Sequence, residues 1–158
     1  MKGGGVGMRG IVSCLSLQPA YSTADATSGS SLLAAGTWTR WVSLYDAGGL
    51  GGTVANWSIA SAADDAAKIS GAGVSQVLWS PCGSYLFVVE RKSRGVLVYD
   101  VRVTGRLVAW LEGRKAETNQ RLGVDIFSGA SGNGELEIWA GGMDGIVRLW
   151  KWSGGGFE

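Results

Sequence analysis

The fold is indicated most clearly by VSQVLWSPCGSYLFVVE, residues Val74–Glu90, followed shortly afterwards by VLVYD, residues Val96–Asp100. The apolar runs have the length of about 4–8 residues that is typical of strands, and they are rich in Val, Leu and aromatic side chains. The Ser-Pro-Cys-Gly step at Ser80–Gly83 favours a tight turn. The segment therefore predicts three short strands joined by turns.

The same plan occurs once before this stretch and once after it. Its runs are Val12–Pro19, Leu32–Trp38 and Val42–Asp46 in the first unit, and Gly123–Gly129, Leu136–Gly142 and Ile146–Trp150 in the third. A fourth strand is predicted clearly at Arg106–Leu111 and less strongly at Thr53–Ala60. Met143–Gly145, between two apolar runs of the third unit, predicts a hairpin turn.

Repeated units of about 40–45 residues with four strands, each closing on an aromatic-Asp pair, are typical of WD40 propeller blades. We therefore predict an all-β chain that forms part of an open WD40 β-propeller with about three four-stranded blades. Blade one covers about residues 10–60, blade two about 73–112 and blade three about 121–152, with its last strand missing. Closed propellers have about 4–8 blades, so further blades or a partner chain are expected to cover the two open ends.

Composition excludes several classes of function. The chain has 158 residues, 27 of them glycine, with 14 basic and 13 acidic residues and no histidine. Without histidine, Ser-His-Asp and Cys-His catalysis are excluded, and the commonest metal ligand is absent. Two distant cysteines form neither a disulfide framework nor a zinc site. We predict no catalytic residues, no cofactor, no metal, no membrane partner, and an intracellular rather than secreted protein.

Basic residues concentrate in one part of the chain. Of the 14 basic residues, 8 lie in the 32 positions from Glu90 to Arg121. Arg91–Arg94 and Gly113–Lys115 are predicted to be loops, and propeller loops lie at the rims where partners bind. Such a patch can contact phosphates without sequence preference, although ordinary solvated loops remain an alternative.

The tryptophans divide into two groups by their positions. Trp79, Trp139 and Trp150 lie within predicted strands and are expected to fill the space between blades. Trp38 and Trp41 flank a predicted turn, where an exposed ring could stack on a nucleic-acid base.

One long segment carries a resemblance to a known family. The chain resembles the telomerase Cajal body protein family of WD-repeat proteins, including its yeast splicing-associated relative. The residues that carry the resemblance are Val74–Val77, Ser80–Phe87, Arg91-Lys92, Val98–Arg102, Gly113–Arg121 and Asp125. The Thr-Asn-Gln-Arg run at Thr118–Arg121 is its most specific part.

The chain also departs from the family pattern. Its last aromatic-Asp pair has become Trp150-Lys151. The His–Ser/Thr–Trp–Asp network of WD repeats cannot be complete without histidine, and only Asp144 and Trp150 match two of its positions.

The resemblance implies a nuclear, non-enzymatic scaffold that binds small nuclear ribonucleoprotein components, both RNA and protein. A WD40 protein–protein interaction module without RNA binding is the alternative. The residues expected to contact RNA or a partner are Arg91, Lys92, Arg94, Arg114, Lys115, Thr118, Asn119, Gln120 and Arg121. For Thr118–Arg121, a loop held by its own side chains is the competing interpretation.

Overall fold

The computed structural model describes residues 8–20, 31–129 and 135–152. Their strands form three antiparallel sheets, each a meander in which consecutive strands pair. The first sheet contains β1 (Val12–Leu17), β2 (Leu32–Thr37), β3 (Trp41–Asp46) and β4 (Thr53–Ser58). The second contains β5 (Val74–Trp79), β6 (Tyr85–Glu90), β7 (Ser93–Asp100) and β8 (Arg106–Ala116), and the third contains β9 (Val124–Ser128), β10 (Leu136–Gly141) and β11 (Val147–Trp152). A single π-helical turn, Ala62–Ala66, is the helical element among the described residues.

The predicted turns are confirmed, and side chains hold one of them closed. The Ser80 hydroxyl accepts a hydrogen bond from the Tyr85 backbone N–H at 3.0 Å, and the Gly83 N–H donates to the Ser80 carbonyl at 2.8 Å. Gly83 adopts a φ of 68°, which a residue without Cβ adopts readily. The turn at Met143–Gly145 joins β10 to β11.

Two apolar layers hold the three sheets together. Between the first and second sheets, Leu44 and Trp57 share a cluster with Leu86 and Tyr99. Between the second and third sheets, Phe87 shares a second cluster with other buried residues that include Ile138. Because neighbouring strand residues point to opposite faces, Leu86 enters the first layer and Phe87 the second. The apolar run of β6 is thereby explained by burial on both faces of the middle sheet.

The leading strands of the sheets approach one another closely. Strand β1 lies against β5, and β5 lies against β9. The Trp79 indole N–H donates to the Ser16 carbonyl at 2.9 Å across the first contact. Gly36 allows this approach, because a Cβ there would overlap the Val74 side chain.

The outer faces of the first and third sheets expose apolar side chains. Leu15 is 62% and Leu17 59% exposed on the first sheet, and Phe127 is 53% exposed on the third. Trp139 shares a face with Leu149, opposite to the face that carries Ile138, and it is 36% exposed. Trp139 therefore does not lie between the second and third sheets, and its predicted place between blades stays a prediction for the open face of the third sheet, whereas Trp79, at 7% exposure, confirms it for its own position.

This architecture confirms the predicted fold class, because three meander sheets joined through their leading strands, without closure, form a partial open β-propeller. The fourth strands predicted for the first two units are present as β4 and β8. Strand β8 is longer than predicted and extends to Ala116. The predicted absence of a fourth strand after Trp152 concerns residues 153–158, which lie outside the described residues.

Candidate functional site

All the predicted site residues lie at one end of the sheet stack, here called the basic rim. In a meander, alternate turns share an end, so the β2–β3, β6–β7 and β10–β11 turns lie together with the β4–β5 and β8–β9 connections. Backbone hydrogen bonds tie these segments to one another. They run from Ile59 N to Arg40 O at 3.0 Å, from Lys92 N to Thr118 O at 3.2 Å, and from Met143 N to Lys115 O at 2.8 Å.

Arg91 and Trp38 form the most defined polar–aromatic contact of the rim. The Arg91 guanidinium lies over the Trp38 ring at 4.5 Å from its centroid, and one Arg91 Nη donates to the Ala72 carbonyl at 3.0 Å. Trp38 remains 50% exposed. A guanidinium held over a solvent-accessible aromatic ring is suited to stacking against a planar ligand.

Lys92 is exposed at the tip of the β6–β7 turn, where its φ of 51° lies in the left-handed region. Its N–H donates to the Thr118 carbonyl, so the turn and the β8–β9 connection form one surface. Asn119, Gln120 and Arg121 are exposed on that connection. The Thr118 hydroxyl accepts from the Gln120 N–H at 3.2 Å, so this loop is partly held by its own side chain.

The predicted loop at Gly113–Lys115 is wrong, because these residues are a bulge within β8. Ser93 pairs with Ala116 and Gly95 pairs with Glu112, so Arg94 alone faces three residues of β8. Gly113 adopts a φ of 90° there. Arg94 correspondingly lies in β7 rather than in a loop, and it forms an exposed ion pair with Glu117 at 2.9 Å.

Arg114 is buried, at 2% exposure, and does not present its guanidinium at the rim surface. Its Nη atoms donate to the Glu90 carbonyl at 3.3 Å and the Leu122 carbonyl at 2.7 Å. Burial lowers the pKa of Arg114 to about 10, so the side chain stays charged at neutral pH. The expectation that Arg114 contacts phosphate directly is not compatible with this placement, because the bulge turns its side chain inward.

Sequence reasoning missed a charge network beside Trp38. Arg40, with a φ of 65°, donates to Glu90 at 2.7 Å and to Asp64 at 2.7 Å. Glu90 is 2% exposed and also accepts from Gly73 N at 3.3 Å. Burial raises the pKa of Glu90, and the bonds from Arg40 oppose part of that rise. The Arg40 hydrogen bond lowers the pKa of Asp64. The signal available in sequence was an acidic residue ending the apolar run of β6.

The two residues that matched the WD network have other partners here. Asp144 pairs with Arg148 at 2.7 Å, which lowers the pKa of Asp144, and the Trp150 indole donates to the Glu112 carbonyl at 3.1 Å. Within the described ranges, no group of three His, Cys, Asp or Glu side chains could hold a metal ion. No described helix is long and apolar enough to cross a membrane.

The sheet arrangement and its rim define a partial WD-type β-propeller whose connecting loops gather basic, amide and aromatic side chains. No family model matches the sequence. The chain is similar to telomerase Cajal body protein 1, at 29% identity over 94% of the chain for Rattus norvegicus and 28% over 95% for Homo sapiens, and it spans 23% of each relative. It is 33% identical over 91% of its length to guanine nucleotide-binding protein negative regulator 1 of Schizosaccharomyces pombe, of which it spans 30%. The chain thus covers less than a third of these relatives, and the predicted resemblance to the telomerase Cajal body protein family is confirmed.

Proposed function

We propose that this chain is part of a nuclear, non-enzymatic WD-repeat scaffold that binds small nuclear ribonucleoprotein components through its basic rim. The observation that carries the proposal is the convergence of Arg91, Lys92 and the Asn119–Arg121 segment on one end of the sheet stack. The similarity to telomerase Cajal body protein 1 supports this choice, because that relative is named for telomerase and the Cajal body.

The exposed rim residues suit single-stranded RNA better than a duplex. Unstacked bases are held by stacking on aromatic side chains or guanidinium planes, and phosphates are held by cations. The Trp38–Arg91 stack supplies the planar surface, with 50% of Trp38 accessible. Lys92 and Arg121 are exposed cations of the same rim, and Asn119 and Gln120 offer amides for base edges.

The proposed domain of 158 residues comprises three blades, about residues 10–60, 73–112 and 121–152, with open ends. The exposed apolar faces around Leu17 and Phe127 favour coverage by further blades or by a partner chain.

A fluorescence-anisotropy titration with a labelled single-stranded RNA of about 20 nucleotides tests RNA binding. The affinity should fall with salt, since each neutralised phosphate contributes a slope of about 0.7 on a log–log plot for single strands. The double variant Lys92→Ala/Arg121→Ala should lower that slope by about 1.4 for two lost contacts. The matched control is Arg106→Ala/Lys151→Ala, which removes two exposed cations at the opposite end of the sheets.

Stacking is tested separately from charge. Trp38→Ala should weaken RNA binding by about 1–3 kcal/mol, the usual contribution of one stacked base. Trp38→Phe keeps an aromatic face and should restore most of the loss. Equal affinities for the wild-type chain, the rim variants and the opposite-end control would exclude the rim as the RNA site.

A protein-binding module without RNA contacts is the second candidate. Two observations support it. The carboxylates of Asp64 and Glu117 form ion pairs with cations of the rim. The Schizosaccharomyces pombe relative is named as a negative regulator of a guanine nucleotide-binding protein. This candidate predicts no RNA crosslinking in lysate and protein partners whose capture is lost in the same rim variants.

A further inference from the structure

A pocket of about 600 Å³ lies at the outer edge of the basic rim, between residues 67–69 and the bulge of β8. Its volume falls within the range of about 300–1,000 Å³ usual for small-ligand sites. Ala67 and Ile69 give it a partly apolar wall. Its charged lining consists of Lys68, Arg94, Arg114, Lys115, Glu112 and Glu117.

The cations of this pocket outnumber its carboxylates by four to two. Arg94 and Glu117 pair with each other, and Glu112 accepts from the Trp110 indole N–H at 2.7 Å. No ion pair among the described residues includes Lys68 or Lys115. The charged lining therefore sums to +2, and three of its cations, Lys68, Arg114 and Lys115, form no ion pair with a described residue.

Arg114 adds a second and independent observation. The residue is 98% buried, its Nη atoms reach only backbone carbonyls, and its Nε has no hydrogen-bond partner. A buried guanidinium without a carboxylate is costly unless an anion compensates its charge. Arg114 lines the same pocket as Lys68 and Lys115, and although its guanidinium is buried, its charge favours an anion nearby.

We propose that this pocket binds the phosphate group of a phosphorylated serine or threonine side chain on a protein partner. A phosphomonoester carries a charge of about −1.5 to −2 at neutral pH and three strong acceptor oxygens, which match the net +2 of the lining. A nucleic-acid backbone fits less well, because its successive phosphates would meet the carboxylates of Glu112 and Glu117 in the pocket lining. A single phosphate on an otherwise neutral peptide avoids that repulsion, and Ala67 and Ile69 can contact its flanking residues.

Isothermal titration of the whole chain with the peptide Gly-Gly-phosphoserine-Gly-Gly tests the assignment. The phosphopeptide should bind, and its unphosphorylated form and a Glu-substituted form should bind at least tenfold more weakly. Lys68→Gln/Lys115→Gln should weaken binding at least tenfold, whereas the opposite-end pair Arg106→Gln/Lys151→Gln should leave it unchanged. All four positions are exposed, so unfolding midpoints of the variants should match that of the wild type. Lowering the pH from 7.5 to 5.5 should weaken binding severalfold, since the phosphate pKa is about 6.

Two kinds of outcome would overturn the proposal. Equal affinity for the phosphorylated and unphosphorylated peptides, or no binding of either, means that the pocket does not recognise phosphate on a side chain. If Lys68→Gln/Lys115→Gln reduces RNA affinity as strongly as Lys92→Ala/Arg121→Ala, the pocket belongs to an RNA surface instead. Phosphopeptide binding in a chain that does not bind RNA supports this pocket and refutes only the proposed RNA function.

Discussion

The substitution Arg40→Ala should destabilise the chain more than any single exposed ion pair could. Arg40 donates to Glu90 at 2.7 and 3.1 Å, and Glu90 is 2% exposed. After the substitution, Glu90 keeps the Gly73 N–H, 3.3 Å away, as its remaining partner in the network. Removing one partner of a buried ion pair costs about 3–5 kcal/mol because the other charge stays buried. Because the free energy of unfolding of a domain is about 5–15 kcal/mol, this loss is a large share of the total stability.

Urea unfolding followed by tryptophan fluorescence measures this loss, with Asp64→Asn as the matched control. Asp64 also pairs with Arg40, but it is 46% exposed, so its loss should cost about 0–1 kcal/mol. The double variant Arg40→Ala/Glu90→Gln should recover part of the loss, because no charge then remains buried. Equal unfolding free energies for Arg40→Ala and Asp64→Asn would show that the buried Glu90 carboxylate does not depend on Arg40.

The same network predicts a dependence on pH. Burial raises the pKa of Glu90 above its ordinary value of 4.5, so the folded chain holds that proton more tightly than the unfolded chain. The resulting stabilisation is complete below pH 4.5 and is lost as pH rises through the folded pKa. Arg40→Ala removes the guanidinium that opposes the rise in the pKa of Glu90. The loss of unfolding free energy in Arg40→Ala, relative to wild type, should therefore be smallest below pH 4.5 and should grow towards neutral pH.

Two further predictions each compare a pair of positions by urea unfolding. Gly36→Ala should cost about 1–3 kcal/mol, because its Cβ would overlap Val74 between β1 and β5, while Gly141→Ala, with open space around its Cβ, should cost less than 1 kcal/mol; equal losses would contradict the close approach of the first two sheets. Ile138→Ala should cost about 2–5 kcal/mol because Ile138 is fully buried, and Trp139→Ala should cost less because its ring is 36% exposed. A larger loss for Trp139→Ala would mean that the faces of β10 are assigned the wrong way round.

The strands could be predicted from the sequence because their signals are local. Apolar runs of strand length and turn residues such as Ser80–Gly83 specify a meander without knowledge of neighbouring sheets. Local sequence does not specify which face of a strand is buried. Strand β10 places Ile138 and Trp139 next to each other, both apolar, and only the positions of the other sheets decide which one is buried.

The placement of the candidate site residues was predicted in part, and the misplaced residues have physical causes. Arg91, Lys92 and Arg121 gather at one rim because turns alternate along a meander, which follows from strand order alone. Arg114 was misplaced because the bulge after Glu112 changes the alternation of β8 and turns this cation inward. The partnership of Arg40 with Glu90 joins residues 50 positions apart, in different sheets, and no local pattern predicts it.

Ultraviolet crosslinking of the chain to a labelled single-stranded RNA, with crosslinked peptides mapped by mass spectrometry, tests the proposed function most directly. The proposal predicts crosslinks concentrated at Trp38, at Arg91-Lys92 and at Asn119–Arg121, and lost in Lys92→Ala/Arg121→Ala. Crosslinks spread equally to the opposite end around Arg106 and Lys151, or absent altogether, would contradict it.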